Sequence, residues 1–90
     1  MDIVEDDSNI DDYNMLGIIF RQQGKYKAAE DCYLRALKQY PNHPTIYYNL
    51  AVLSLIRSNR FAARKYVMKA LEHDPNNERA LHLLRRIEKG

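Results

Sequence analysis

Cysteine is almost missing from this chain: Cys32 is the only one among 90 residues. No internal disulfide can form, so packing must hold the fold, and a reducing, cytoplasmic setting is expected. Tryptophan is absent, and glycine and proline number three each, too few for a loop-rich or collagen-like chain. No stretch approaches the roughly 18 consecutive apolar residues that a membrane helix needs. The opening MDIVEDDSNIDD contains neither Lys nor Arg and has no apolar run, so no secretory signal is expected there.

Catalytic signatures are equally scarce. His43, His73 and His82 lie in a connector, a helix end and the last helical segment, without the i, i+4 spacing of paired metal ligands. They read as solvated polar positions. Cys32 has no His near it in sequence, so a half-buried thiol is expected rather than a nucleophile. No glycine-rich phosphate loop is present. These absences predict a chain that is not an enzyme and takes no metal or cofactor.

What the chain does have is self-similarity. Tyr13/Tyr47, Leu16/Leu50, Ala28/Ala62, Ala29/Ala63, Ala36/Ala70, Leu37/Leu71, Pro41/Pro75 and Asn42/Asn76 all recur at an offset of 34. A fixed period of this length is the mark of stacked helical hairpins. The local patterns agree. Tyr13, Leu16, Gly17 and Phe20 fall on one helical face from Ile10 onward, and Gly24 closes that helix. A second helix carries Tyr26, Ala29, Tyr33, Ala36 and Leu37 on one stripe and stops at Tyr40-Pro41, because proline disfavours helical geometry in the preceding residue.

Pro44 suits the first turn of a third helix, which carries Tyr47, Leu50, Ala51 and Ser54 and should end near Ser58-Asn59. A fourth runs from about Phe61 to His73 through Ala63, Tyr66, Val67, Ala70 and Leu71. A fifth follows Asn76-Asn77, with Leu81, Leu84 and Ile87 as its expected inward stripe and Arg79, Arg85, Arg86 and Lys89 outward. The expected architecture is all-α: a leader over residues 1–9, hairpins over 10–43 and 44–77, and a capping helix over 78–90. The leader has few large apolar groups and reads as disordered or frayed.

The repeat resembles the tetratricopeptide repeat. In the first hairpin the signature residues are Tyr13, Leu16, Gly17, Phe20, Ala29, Tyr33, Ala36 and Pro41, a match throughout. The second reads Tyr47, Leu50, Ala51, Ser54, Ala63, Val67, Ala70 and Pro75, departing at Ser54 and Val67, where aromatics are usual. Arg60-Phe61 departs too, since the family's aromatic falls one residue earlier, as Tyr26 does. Small residues at Gly17, Ala29, Ala51 and Ala63 let paired helices approach, while Tyr13, Phe20, Tyr33 and Tyr47 are expected between neighbouring hairpins, each worth roughly 1.5–3 kcal/mol if buried.

That resemblance implies a non-catalytic protein-interaction module whose first helices line a concave groove. Carried over by residue, the groove takes Asp11, Asn14, Ile18, Arg21 and Gln22 from one repeat, and Thr45, Tyr48, Val52, Leu55 and Ile56 from the next. Arg79, His82, Arg86 and Lys89 come from the last helix. An apolar centre with a polar rim suits a peptide or helix. Asn14, Ile18, Arg21, Gln22, Tyr48, Val52, Leu55, Ile56, Arg79 and His82 are the expected partner-binding residues. Members that clamp C-terminal carboxylates use Lys, Asn and Arg donors where this chain has Asn14, Ile18, Asn49, Arg79 and Leu83. Asn49 alone matches outright and Arg79 keeps the charge, so no such clamp is expected.

Two alternatives remain open at this point. The same apolar residues can join two copies of the chain. Charge offers the other: the net +2 divides into an acidic start, with six of the twelve acidic residues in the first twelve positions, and a basic remainder holding all fourteen Lys and Arg. Arg57, Arg60, Arg64, Lys65, Lys69, Arg79, Arg85, Arg86 and Lys89 would suit phosphates, or acidic partners with which the leader competes. Ordinary solvated helix faces explain them as well, and nucleic acid is the least expected partner.

Overall fold

In a computed structural model, residues 10–89 are described; the expected leader, residues 1–9, lies outside them. Five α-helices and no strand occur among the described residues: α1 (Ile10–Gln22), α2 (Tyr26–Gln39), α3 (Pro44–Ile56), α4 (Arg60–His73) and α5 (Glu78–Lys89). The fold is an all-α helical repeat. The chain divides into two units, one ending at Pro41 and the other beginning at Asn42.

The first unit is the hairpin α1–α2. Its close approach is made at Gly17, which is buried beneath the Tyr33 ring. A methyl group there would lie 2.7 Å from Cδ1 and 2.8 Å from Cζ of Tyr33, and nearer still to Cε1. Tyr33, Ala29 and Ala36 are fully buried, with Tyr26 and Leu37 half-buried beside them, so the expected α2 stripe is present. Tyr33 differs from expectation in placement: its ring fills the inside of this hairpin against Gly17, the one spot with no side chain to exclude it. Leu16 also differs. It lies on the expected stripe yet is 44% exposed, whereas Leu50, its repeat counterpart, is buried.

The second unit is built from α3, α4 and α5. Ala51 of α3, Ala63, Val67 and Ala70 of α4, and Ala80, Leu83 and Ile87 of α5 form one buried cluster, with Tyr47, Tyr48, Val52 and Leu55 packed against it. Small residues dominate the α3–α4 seam, so the two backbones can lie close together. The buried stripe of α5 is Ala80, Leu83 and Ile87; Leu81 and Leu84, expected inward with Ile87, are half-buried at its borders. Ile87 is common to both stripes, so the buried face is turned from the expected one by less than the roughly 100° of one residue.

Both hairpin turns are the same device, one period apart. Lys25 N–H donates to the Phe20 carbonyl at 2.8 Å and Gly24 N–H to Arg21 at 3.0 Å; Asn59 N–H donates to Ser54 at 2.8 Å and Ser58 N–H to Leu55 at 3.0 Å. This pair of bonds ends a helix with a left-handed residue. Gly24 takes φ +80° without strain, while Ser58 takes φ +63° with a side chain. Helix starts are capped where the sequence allows it. Asn59 Oδ1 accepts from the Ala62 N–H at 3.1 Å, Asn77 Oδ1 from Ala80 at 3.0 Å, and His43 Nδ1 from Thr45 at 3.3 Å. His43 therefore caps α3, a role beyond the solvated one expected. Pro44 occupies the first turn behind it.

Candidate functional site

On α3, Tyr48, Val52, Leu55 and Ile56 follow i, i+4, i+7, i+8 spacing, which places them on one face. Tyr48, Val52 and Leu55 are half-buried, each resting on the unit's core, and Ile56 is 43% exposed. The face is thus rooted in the core and open at its edge. From α5, the Arg79 guanidinium lies 5.0 Å from the centre of the Tyr48 ring, within the range of cation–π attraction. His82 is exposed one turn further along α5. Leu83, where a carboxylate clamp would need a cation, is buried in the core instead.

The matching residues of the first unit, Asn14, Ile18, Arg21 and Gln22, have the same spacing along α1. Asn14, Ile18 and Arg21 are half-buried and Gln22 is exposed. Arg21 has a local role as well. The Tyr33 hydroxyl is buried with no close hydrogen bond; burial pushes its pKa up, and the Arg21 guanidinium, near enough to donate weakly to it, pulls the other way.

Chemistry is thin elsewhere. Burial raises the pKa of the half-buried Cys32 thiol, against the pull of Arg35, which keeps it protonated and unreactive. His73 lies stacked on Tyr47, with ring centres 6.1 Å apart and planes 11° from parallel. No group of three His, Cys, Asp or Glu that could hold a metal occurs among the described residues. No helix among the described residues is long and apolar enough to cross a membrane.

The paired helices, the small residues at their seams and the two identical turns lead to one family. A family model described as TPR repeat matches residues 17–54, from the Gly17 close contact through α3. That match supports a TPR-family protein. Comparison with curated proteins returns no match. TPR repeats are in general protein–protein interaction modules.

Sequence reasoning missed one surface of this chain. Phe61 is 81% exposed on the outer side of α4. The signal was in the register: one period earlier stands Lys27, a solvent-facing residue with its Nζ 3.7 Å from Glu30 and 3.5 Å from Asp31. The shifted aromatic thus lands on a position built for charge, while Arg60 takes the place equivalent to half-buried Tyr26.

Proposed function

We propose that this TPR chain is a non-catalytic adaptor that docks a peptide or helix of a partner protein. Its principal docking face would be α3, with Tyr48, Val52, Leu55 and Ile56 as the apolar centre and Arg79 and His82 as the rim. The observation that carries this reading is the placement of Arg79 over the Tyr48 ring, which sets a fixed cation beside an incompletely covered apolar strip. A centre of apolar side chains bordered by charge is the usual anatomy of a protein-docking surface. On α1, Asn14, Ile18, Arg21 and Gln22 would serve as a second, more polar contact face. A reducing, cytoplasmic setting suits the single protonated thiol.

The test is a peptide selection from a random library on the immobilised chain, followed by titration of the selected peptides against Leu55→Glu and Ile56→Glu. Either substitution should weaken binding by about tenfold or more, as expected for loss of an apolar anchor. Ile56 is exposed, so its variant leaves the helices intact. Peptides that bind both variants as tightly as the parent chain would refute the assignment.

Self-association is a second reading, favoured by α1. Met15 is 59% exposed, and Leu16 and Ile19 are exposed beside it, an apolar strip of the type that joins copies. Light scattering across concentration, repeated with Ile19→Glu, distinguishes it. Nucleic acid is not favoured, because among the described residues Phe61 is the one largely exposed ring on α4, and base stacking needs a series of rings.

A further inference from the structure

On the outer face of α4, Phe61 and Met68 lie outside the buried core cluster of their unit. Ala63, Val67 and Ala70 turn the opposite side of the helix into the core, whereas Phe61, Met68 and the half-buried Leu71 line a shallow recess on the surface with Arg64, Lys65, Lys69 and one acid, Glu72. Phe61 is 81% exposed and Met68 44%. Phe61, Lys65 and Met68 fall at i, i+4, i+7, so ring, cation and thioether share one stripe. Exposed bulky side chains on a helix whose core face is already occupied are the feature that marks an interaction surface.

Charge defines what would cover it. Helix α4 carries Arg60, Arg64, Lys65 and Lys69 against the single acid Glu72. Arg64 lies 3.3 Å from Glu88 and Lys69 3.8 Å from Glu72, but both pairs are solvent-exposed and exchange readily for other carboxylates. Arg60 and Lys65 have no ion-pair partner among the described residues. An occupant must therefore bring apolar bulk for Phe61, Met68 and Leu71, together with negative charge along both sides.

We infer that the outer face of α4 is a second docking surface, for an acidic amphipathic segment of a partner protein. Its apolar side chains pack on Phe61, Met68 and Leu71, and its Asp or Glu residues pair with Lys65 and the neighbouring arginines. Nucleic acid would satisfy the cations but would leave Met68 and Leu71 against polar sugar and phosphate. The inference is independent of the α3 face and stands if that reading fails.

The test uses the full chain and three fluorescent probes, read by anisotropy. One is a peptide as long as α4 with Leu at i, i+3, i+7 and Glu at most other positions. The second replaces each Glu by Lys, and the third is an oligouridylate. The Glu peptide is expected to bind and to weaken as salt rises. Phe61→Ser should weaken it by about tenfold or more, and Lys65→Glu with Lys69→Glu should do the same by charge reversal. Ile56→Glu should leave this binding unchanged. All these positions are exposed, so unchanged circular dichroism is expected throughout. The inference is overturned if the Glu peptide does not bind, if it binds regardless of these α4 changes, or if the Lys peptide binds equally. Tighter binding of the oligouridylate would reassign the face to nucleic acid. A particle mass that rises with concentration and reverts in Phe61→Ser would assign it to a second copy.

Discussion

Adding a methyl group at Gly17 sets two effects of known size against each other. Alanine in place of an interior helical glycine gains about 1 kcal/mol of helix propensity. At this site the new carbon would stand 2.7 Å from Cδ1 and 2.8 Å from Cζ of Tyr33, where carbon contacts normally lie at about 3.5–4.0 Å. The ring is fully buried and has no open space to swing into, so either the hairpin opens or the ring leaves its rotamer. Overpacking of this type costs about 1–3 kcal/mol. The steric effect wins: Gly17→Ala should be destabilised by about 1 kcal/mol net, and Gly17→Val, with a weaker propensity gain and two more methyl groups, by about 3 kcal/mol. Thermal unfolding followed by circular dichroism reads the difference, since 1 kcal/mol moves the midpoint of a domain this size by roughly 4–8 °C. A Tyr33→Leu background supplies the decisive comparison. Without the ring edge, Gly17→Ala should become neutral or stabilising. If alanine lowers the midpoint equally in both backgrounds, the contact with Tyr33 is not what requires glycine.

Three further outcomes follow from the same framework. Ser58→Gly should stabilise by about 1 kcal/mol, because Ser58 holds φ +63°, a region that disfavours L side chains; an unchanged midpoint would mean that the turn relaxes in solution. Asn77→Ala removes the side chain that accepts from Ala80 N–H and donates through Nδ2 to Asp74 at 3.2 Å, and should cost about 1 kcal/mol in urea denaturation. Alkaline pH should destabilise the first unit. The Tyr33 phenol is raised by burial, so its stabilising contribution is complete below the unfolded tyrosine value of about 10 and is lost as pH rises through the higher folded value. Tyr33→Phe should remove that loss; a pH profile identical to the parent would contradict the assignment.

The fold was legible because its determinants are periodic. Repeats of small residues, terminal prolines and turn residues locate every helix, and α3 differs only in stopping at Ile56, two residues before the expected Ser58-Asn59, where the left-handed Ser58 turn begins. The rotation of α5 was less legible. Leu81, Leu84 and Ile87 make a plausible apolar stripe, but so do Ala80, Leu83 and Ile87, and only the shape of the neighbouring α4 seam decides between them. The α3 face could be named residue by residue from the resemblance, yet its cation–π contact depends on how α5 docks, which no spacing rule supplies. Phe61 lay outside the motif for the opposite reason: a shifted aromatic looks like a packing residue until its backbone position is known.

Positions that pair across the period divide into two kinds, and the division separates packing from surface use. Ala29 and Ala63, or Ala36 and Ala70, are identical and fully buried; a larger side chain would overpack the seam. Where the two repeats disagree, the fold often tolerates either residue. Lys27 and Phe61 occupy equivalent solvent-facing places, but Lys27 is satisfied by Glu30 and Asp31, while Phe61 leaves an aromatic ring in water. Lysine at residue 61 would serve the helix at least as well, since its propensity exceeds that of phenylalanine. Folding therefore supplies no reason for the ring. The divergence at this pair is the strongest argument that the outer face of α4, and not its inner face, has been shaped by something outside the unit it belongs to.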